Sequence, residues 1–322
     1  MRLAVLACLF GASAQAQVAV PVAVPVTGPG VTGTVLRFAD FPSAHVAPRT
    51  VDVWLPPGYD ADTSRTYPVL VLHDGQNQFD PATSFTGVDW GVDEALTGLL
   101  AVGAVEPPVV VAVWNTAYRR PEYMPQRAVA DTASFDVPGV GRVAGMRSDA
   151  YLRFLVEELK PFVDARFRTR RGPASTFVMG ASMGGLISAY AVAEYPDVFG
   201  AAACVSTNWP ALGGAAARWL PGALPAPGGS AGDAPSRHRL YFDHGTETLD
   251  AGYAPFQQAV DAALAARGWT AGADLVSLAF PGADHSERSW RARVHLPLLF
   301  LLGPRADATG ATSRGAPSAG PR

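Results

Sequence analysis

Continuous apolar runs alternate with helix-patterned segments along this chain, and this alternation constrains its fold more than any other feature. Residues 67–75, 107–115, 175–182 and 201–209 each contain an unbroken apolar run, as strands buried on both faces of a sheet do. Segments with helical spacing lie between them, such as residues 148–167, where a cap at Ser148 or Asp149 is expected. Strands that alternate with helices predict an α/β fold with a mostly parallel central sheet and helices on both faces. Such sheets bind ligands beyond the carboxyl ends of their strands.

The two ends of the chain depart from this pattern. Arg2, a short apolar run and the Ala14-Gln15-Ala16 sequence predict a secretory signal peptide cut after Ala16, and the apolar run is too short to span a bilayer. A buried N-terminal strand is the alternative. We expect a periplasmic or secreted protein without stable membrane insertion. Its predicted parts are a signal peptide (1–16), an extended leader (17–34), one folded domain (35–303) and a disordered tail (304–322).

The composition excludes several classes of function. The net charge of −3 comes without a basic cluster, which argues against nucleic acid as a partner. Cys8 leaves with the signal peptide, so the mature chain keeps only Cys204, which lies in an apolar run and is expected to be buried. One cysteine and scattered histidines form no recognisable ligand set, so we predict neither a metal nor an organic cofactor.

Ser182 lies in the sequence Gly180-Ala181-Ser182-Met183-Gly184, between a predicted strand and a predicted helix. This G-x-S-x-G pattern is common by chance, and a plain glycine-rich turn is the alternative, but the strand-to-helix context favours a nucleophile held in a tight bend. Side chains at positions 180 and 184 would collide in such a bend, which explains the glycines. The following helix N-terminus favours developing negative charge.

A nucleophilic serine needs a histidine base and an acid that orients it, in the chain order serine, acid, histidine. Only His285 and His295 follow late enough, and His295 lies inside the predicted helix at 287–302. His285 follows the last predicted strand, and a capping box of Asp284 and Glu287 would fix its loop. We therefore predict His285 as the base.

The acid is expected on the loop after the predicted strand that contains Asp243. Both Asp250 and Glu247 lie on that loop, and spacing alone does not separate them. The oxyanion hole is expected to combine the backbone N–H of Met183 with that of Gln76, where Gly75 would let the backbone turn close to the ligand.

Several segments together resemble the "Putative esterase" family of α/β-hydrolases over residues 35–302. They are LHDGQNQFD, VWNTAYRRPEYMP, GASMGG, FDHGTETLDAGY and GADHSERSWRARVHLPLLFLL. This family groups enterochelin-esterase-like proteins with esterase D, some feruloyl and acetyl xylan esterases, and the mycolyltransferases. The resemblance implies the α/β-hydrolase fold, a Ser-His-acid triad and an oxyanion donor at Gln76. It also favours Asp250 over Glu247 as the acid.

The same resemblance implies a substrate cleft lined by residues 119–125. Arg119, Arg120 and Tyr123 would then contact an anionic or aromatic substrate. The alternative is that Arg120 and Glu122 form ion pairs that brace a long loop.

These residues predict a serine carboxylic ester hydrolase that acts through an acyl-enzyme on a small-molecule or carbohydrate-linked ester. An acyltransferase that replaces water with a sugar or alcohol is the first alternative. A catalytically silent binding protein of the same fold is the second. The sequence leaves open whether the ester is a siderophore lactone, an acylated polysaccharide or a small acyl ester.

Overall fold

The computed structural model describes residues 21–129, 134–137, 141–227 and 238–304, and at 134–137 and 141–144 only the backbone is described. The predicted signal peptide and all but the first residue of the predicted tail lie outside these ranges. Every helix within them is too short or too polar to span a lipid bilayer.

The strands of the described residues follow the predicted apolar runs. They are β1 (Val24–Val26), β2 (Thr34–Phe41), β3 (Arg49–Leu55), β4 (Val69–His73), β5 (Val109–Val113), β6 (Ser134–Val137), β7 (Gly141–Ala144), β8 (Thr176–Ala181), β9 (Ala201–Val205), β10 (Arg239–His244) and β11 (Leu275–Ala279).

Helices connect these strands. They are α1 (Val92–Ala101), α2 (Arg119–Tyr123), α3 (Ser148–Arg153), α4 (Lys160–Arg166), α5 (Met183–Glu194), α6 (Ala211–Ala223), α7 (Ala254–Ala266), α8 (Glu287–Arg293) and α9 (His295–Leu302). A π-helical turn, Phe154–Leu159, joins α3 to α4, and short 3₁₀ turns lie at Gly75–Asn77, Gln126–Ala128, Pro173–Ser175 and Thr248–Gly252.

Nine strands form one sheet in the order β1-β2-β3-β5-β4-β8-β9-β10-β11. The six strands from β5 to β11 are parallel to one another. The first three strands pair antiparallel, and β3 is also antiparallel to β5. The predicted mostly parallel sheet is therefore confirmed. The segment predicted as an extended leader contributes β1, which pairs with β2 at the edge of the sheet.

Both faces of the sheet are covered, which explains why its central strands are mostly apolar. In β4, Val69 and Val71 pack into one core cluster, whereas Leu70 and Leu72 pack into the other. The first cluster takes side chains from the helices α3 to α7, and the second takes them from α1, α8 and α9. Because alternate residues of a strand point to opposite faces, every position in these strands is buried.

Two predicted helices differ in detail from the structure. The predicted cap of α3 is wrong: Arg147 is its N-cap, the Ser148 hydroxyl accepts from the N–H of Gln126 at 3.0 Å, and Asp149 accepts from the Tyr190 hydroxyl at 2.5 Å. The single helix predicted at 287–302 is divided at Val294 into α8 and α9. The side chains that were predicted to cap the helix bond instead to residues distant in sequence. The local sequence pattern does not contain these partners.

A buried ion pair fixes the segment that carries α2. Glu122 binds Arg49 of β3 through two hydrogen bonds of 2.8 and 2.9 Å, and both side chains are 1% exposed. Glu122 therefore braces this segment through an ion pair, as the alternative interpretation predicted, but its partner is Arg49 and not Arg120. Removing one partner of a buried pair leaves an uncompensated charge in the interior, which costs far more than the loss of an exposed pair.

We expect Arg49→Met to lower the free energy of unfolding by about 3–5 kcal/mol in urea titrations, because the charge of Glu122 stays buried. The Arg170–Glu106 pair provides a matched control, since it is also bidentate but about two-fifths exposed. Arg170→Met should cost no more than about 1 kcal/mol. Equal losses in the two variants would contradict this account.

Candidate active site

Ser182 lies at the junction where β8 ends and α5 begins, with backbone angles of φ 59° and ψ −117°. Residues with a Cβ rarely adopt a positive φ, so the backbone of Ser182 is held in a strained conformation. Its N–H donates to the carbonyl of Val205 on the next strand at 2.9 Å, and its own carbonyl accepts from Asn208 at 3.1 Å. The neighbouring strand end therefore maintains the bend.

Two glycines make this bend possible, and one of them is not a predicted one. A Cβ on Gly180 would lie 2.8 Å from the carbonyl carbon of Gly184, so that position requires glycine. A Cβ on Gly184 would meet nothing closer than 3.5 Å, so the predicted collision at this position is wrong. The second crowded position is Gly185, where a Cβ would lie 2.8 Å from the Thr207 hydroxyl. The helix packs against the end of β9 there, a contact that the local motif does not reveal.

The structure brings His285 and Asp250 together. Nδ1 of His285 lies 2.5 Å from Oδ1 of Asp250, and the two side chains are 9% and 0% exposed. The imidazole also makes edge contacts with the rings of Trp290 and Tyr253, at centroid distances of 5.0 and 5.8 Å. With Nδ1 engaged, the ring presents Nε2 as the nitrogen that is available to exchange a proton.

Asp250 rather than Glu247 is the carboxylate at the histidine. Glu247 is exposed. The second oxygen of Asp250, Oδ2, accepts from the Ser206 hydroxyl and from the N–H of Gly245, both at 2.6 Å. Burial alone would raise the pKa of Asp250, but the hydrogen bonds from His285, Ser206 and Gly245 outweigh it and hold this pKa below its usual value. Asp250 is therefore ionised at neutral pH.

Sequence reasoning missed the residues that hold this carboxylate. The Ser206 hydroxyl accepts from Nε1 of Trp290 at 3.0 Å and from Nη2 of Arg293 at 2.8 Å, while it donates to Asp250. Arg293 in turn pairs with Asp243 in β10. The sequence signal for Ser206 was its position directly after β9, the strand that neighbours β8. A serine that follows a strand is too common to be identified as a site residue from this position.

The loop that carries His285 is fixed differently from the prediction. Ser286 is the N-cap of α8, and its hydroxyl accepts from the N–H of Ser289 at 3.3 Å. The predicted capping box is therefore wrong. Asp284 instead accepts from the hydroxyls of Ser286 and Ser289, and the Thr86 hydroxyl donates to Glu287 at 3.1 Å.

One cavity of about 450 Å³ joins most of the predicted site residues. Ser182, Met183, His285, Gln76, Arg119 and Arg120 all line it, together with the aromatic side chains of Phe85, Trp90 and Trp290. It therefore has a serine hydroxyl, a histidine and two arginines at the carboxyl ends of the parallel strands. This is the edge at which such sheets bind ligands.

The two predicted oxyanion residues lie on the wall of this cavity. Met183 is the first residue of α5, where backbone N–H groups lack a partner inside the helix. Gln76 is the middle residue of the 3₁₀ turn Gly75–Asn77. A Cβ on Gly75 would lie 2.6 Å from the carbonyl of Ala112, so this glycine is required by close packing against β5 rather than by the ligand.

The three predicted substrate contacts have different surroundings. Tyr123 is 0% exposed and does not line the cavity, so its predicted contact with substrate is corrected: its ring packs under the guanidinium of Arg119 and against His73. Arg119 lines the cavity but forms an ion pair with Asp74. Arg120 also lines the cavity and has no ion-pair or hydrogen-bond partner among the described residues.

Comparisons with known proteins agree with this geometry. The family model described as "Putative esterase" matches residues 44–298. The chain belongs to this esterase family. Over 162 residues it is 28% identical to the uncharacterised protein YbbA of Bacillus subtilis, a match that covers 50% of this chain and 57% of YbbA. The matched part thus spans little more than half of that relative.

Solved structures of esterases share the α/β-hydrolase fold of this family member. A ferulic acid esterase superposes with a TM-score of 0.57 at 15% identity, covering 84% of this chain and 98% of that one. The enterobactin esterase FES from Shigella flexneri superposes with a TM-score of 0.57 at 20% identity, covering 85% of this chain and 60% of that one. The siderophore hydrolase EstA from Aspergillus nidulans superposes with a TM-score of 0.59 at 18% identity, covering 86% of this chain and 97% of that one.

One carboxylate cluster within the described residues has a spacing that would suit a metal ion. It comprises Asp89, Asp93 and Glu94. Arg291 already binds Asp89 and Glu94, at 2.7 and 3.2 Å. Burial, followed by a hydrogen bond with Glu94, raises the pKa of Asp93 well above its ordinary value, which favours the protonated, uncharged form. Arg291 and a proton on Asp93 therefore offset two of the three negative charges that these carboxylates could carry.

The packing around Ser182 predicts different changes in stability for two similar substitutions. Gly180→Ala should lower the free energy of unfolding by about 1–3 kcal/mol, because its methyl group would overlap the backbone of α5. Gly184→Ala should stay within about 1 kcal/mol of the wild type, because an alanine there has ordinary contacts and a better helix propensity. Urea titrations of both variants test this, and equal stabilities would contradict the proposed geometry of the bend.

Proposed function

We propose that this esterase-family member is a serine carboxylic ester hydrolase that acts through an acyl-enzyme, with Ser182 as nucleophile, His285 as base and Asp250 as acid. The observation that carries the proposal is the bond between His285 and Asp250 at the cavity that Ser182 also lines. An ionised, buried acid at Nδ1 keeps the imidazole in the tautomer whose Nε2 accepts a proton. Nothing else among the described residues of this cavity offers a comparable nucleophile and base.

In the proposed reaction, Oγ of Ser182 attacks the ester carbonyl while Nε2 of His285 takes its proton. The backbone N–H groups of Met183 and Gln76 stabilise the oxyanion, each by about 3 kcal/mol. His285 then protonates the leaving alkoxide, and the acyl group remains on Ser182. Water attacks the acyl-enzyme by the same route and releases the acid.

The proposed substrate is a small-molecule or carbohydrate-linked ester with an anionic or aromatic part. Arg120 supplies a cation without a partner among the described residues, and Phe85 is 87% exposed at the cavity. The names of the structural relatives point to ferulic acid esters and siderophores as substrates of those proteins. A panel of short acyl, feruloyl and catecholate esters, with and without a carboxylate, tests this substrate class.

We further propose that the protein is periplasmic or secreted after cleavage behind Ala16. The composition of residues 1–16 supports this proposal. Expression of the full-length chain in a Gram-negative host, followed by N-terminal sequencing of the periplasmic fraction, tests it. Recovery of the uncleaved chain from the cytoplasm would contradict it.

Ser182→Ala should reduce the hydrolysis of p-nitrophenyl acetate by at least ~10⁴-fold, because it removes the proposed nucleophile. A fluorophosphonate should label Ser182 in the wild type and fail to label the variant. Ser64→Ala is the control, since Ser64 is exposed and bonds only to Asp62 nearby. Unchanged turnover in Ser182→Ala would remove the proposed mechanism, and products formed with added alcohols would show whether acyl transfer competes with hydrolysis.

Asp250→Asn should lower kcat by ~10³–10⁴-fold, because the amide favours the wrong tautomer of His285 and no longer stabilises the imidazolium. Glu247→Gln should leave kcat within about twofold of the wild type, because Glu247 is exposed. Steady-state kinetics on p-nitrophenyl acetate measure both. The reverse ranking would move the role of the acid to Glu247.

A further inference from the structure

Asp74 and Arg119 form an ion pair on the wall of the cavity. The Asp74 carboxylate accepts two hydrogen bonds from Arg119, Nε to Oδ1 and Nη2 to Oδ2, both at 2.7 Å. Nδ2 of Asn115 adds a third bond to Oδ1 at 2.6 Å. The side chain of Asp74 is 7% exposed and that of Arg119 is 27% exposed. This geometry is a preorganised fork, the strong form of arginine–carboxylate pairing.

The carboxylate lies between the two segments that carry the proposed oxyanion donors. Asp74 is two residues before Gln76, and its backbone has the left-handed angles φ 54° and ψ 48°, which start the turn to Gln76. Its Oδ2 also lies 3.5 Å from the point where a Cβ on Gly184 would sit, one residue after Met183. A full negative charge is thus buried beside the place where the oxyanion would form.

Arg119 is the group that balances this charge. Burial alone would raise the pKa of Asp74, but the charge of Arg119 and the hydrogen bonds from Arg119 and Asn115 hold it below its usual value. The other titratable groups around the pair do not replace Arg119. Burial lowers the pKa of His73 to about 3, so His73 is neutral, and Tyr123 and Tyr151 have pKa values raised by burial. Glu287, which lies on the same cavity wall, is itself acidic.

We propose that Arg119 is a positioning residue for the oxyanion hole: it holds the loop from Asp74 to Gln76 in place and cancels the charge of Asp74, rather than binding the substrate. This inference rests on the proposed function. An uncompensated carboxylate would oppose the developing oxyanion in the transition state, in which the substrate oxygen gains its charge, more than in the ground state. Loss of Arg119 should therefore act on kcat and leave KM for a neutral ester nearly unchanged.

Arg119→Met should lower kcat for p-nitrophenyl acetate by ~10–100-fold at pH 8, with KM within about threefold of the wild type. Asp74→Asn combined with Arg119→Met should recover at least ~5-fold of that loss, because the opposing charge is gone. Arg170→Met is the matched control, because it breaks an equally bidentate pair away from the cavity and should leave kcat unchanged. Circular dichroism and thermal unfolding establish that each variant is folded.

The pH profile distinguishes charge balance from a merely structural role. Without Arg119, burial raises the pKa of Asp74, so the carboxylate is neutral at low pH and charged at high pH. The ratio of variant to wild-type kcat should therefore fall as the pH rises from 5.5 to 9 in Arg119→Met. It should stay flat in the double variant and in Arg119→Lys, which keeps the charge but loses the fork.

Each result decides for or against the proposal. A lower kcat with the falling ratio and the rescue supports it. An unchanged kcat, a loss that is independent of pH and not relieved by Asp74→Asn, or a change confined to KM overturns it, and the last would make Arg119 a substrate contact. A wild-type protein that hydrolyses none of the panel esters would instead overturn the proposed function, so the two failures are distinguishable.

Discussion

The burial of the Asp250 carboxylate is the constraint on which the geometry of the site depends. A buried carboxylate must be met by donors, and here they come from three successive loops: Ser206 after β9, Gly245 after β10 and His285 after β11. These three strands are neighbours in the sheet and run parallel. Their register therefore brings together donors that lie far apart in the chain, and the imidazole is oriented as a consequence of satisfying a buried charge.

The fold could be predicted from the sequence because its strongest signal is physical and local. A strand buried on both faces is mostly apolar, and β4, β5, β8 and β9 fit that pattern, with His73 at the end of β4 and Thr176 at the start of β8 as polar exceptions. The antiparallel end of the sheet has no comparable signal. The caps of α3 and α8 were predicted wrongly because Ser148, Asp149 and Glu287 bond to residues distant in sequence. The pattern of a chain shows which faces are buried, but it does not show which distant partner claims a polar group.

Some residues of the candidate site could be predicted from the sequence, and others could not. Ser182 and His285 were indicated by their places after strands. The choice of Asp250 over Glu247 needed either a family resemblance or the structure, since both lie on one loop and only Asp250 turns inward. Tyr123 and Gly184 were assigned roles that packing contradicts: one is fully buried and the other has ordinary contacts. Ser206 and the Asp74–Arg119 pair, which order the site from behind, carry no recognisable motif at all.

The buried carboxylates near the site differ in the groups that offset their negative charge, and this difference affects the electrostatic potential in the cavity. Asp243 is paired with Arg293, and Asp74 with Arg119. Asp250 is met by the neutral Ser206 hydroxyl and Gly245 N–H, and by His285, the base of the proposed reaction. With the first two charges cancelled, the N-terminus of α5 and the backbone N–H groups of Met183 and Gln76 favour the proposed oxyanion without an opposing charge from Asp74. In the proposed mechanism, Asp250 stabilises the imidazolium at the step in which a positive charge forms on His285. Fixed cancellation at Asp74 and transient pairing at Asp250 are thus two uses of the same kind of buried acid.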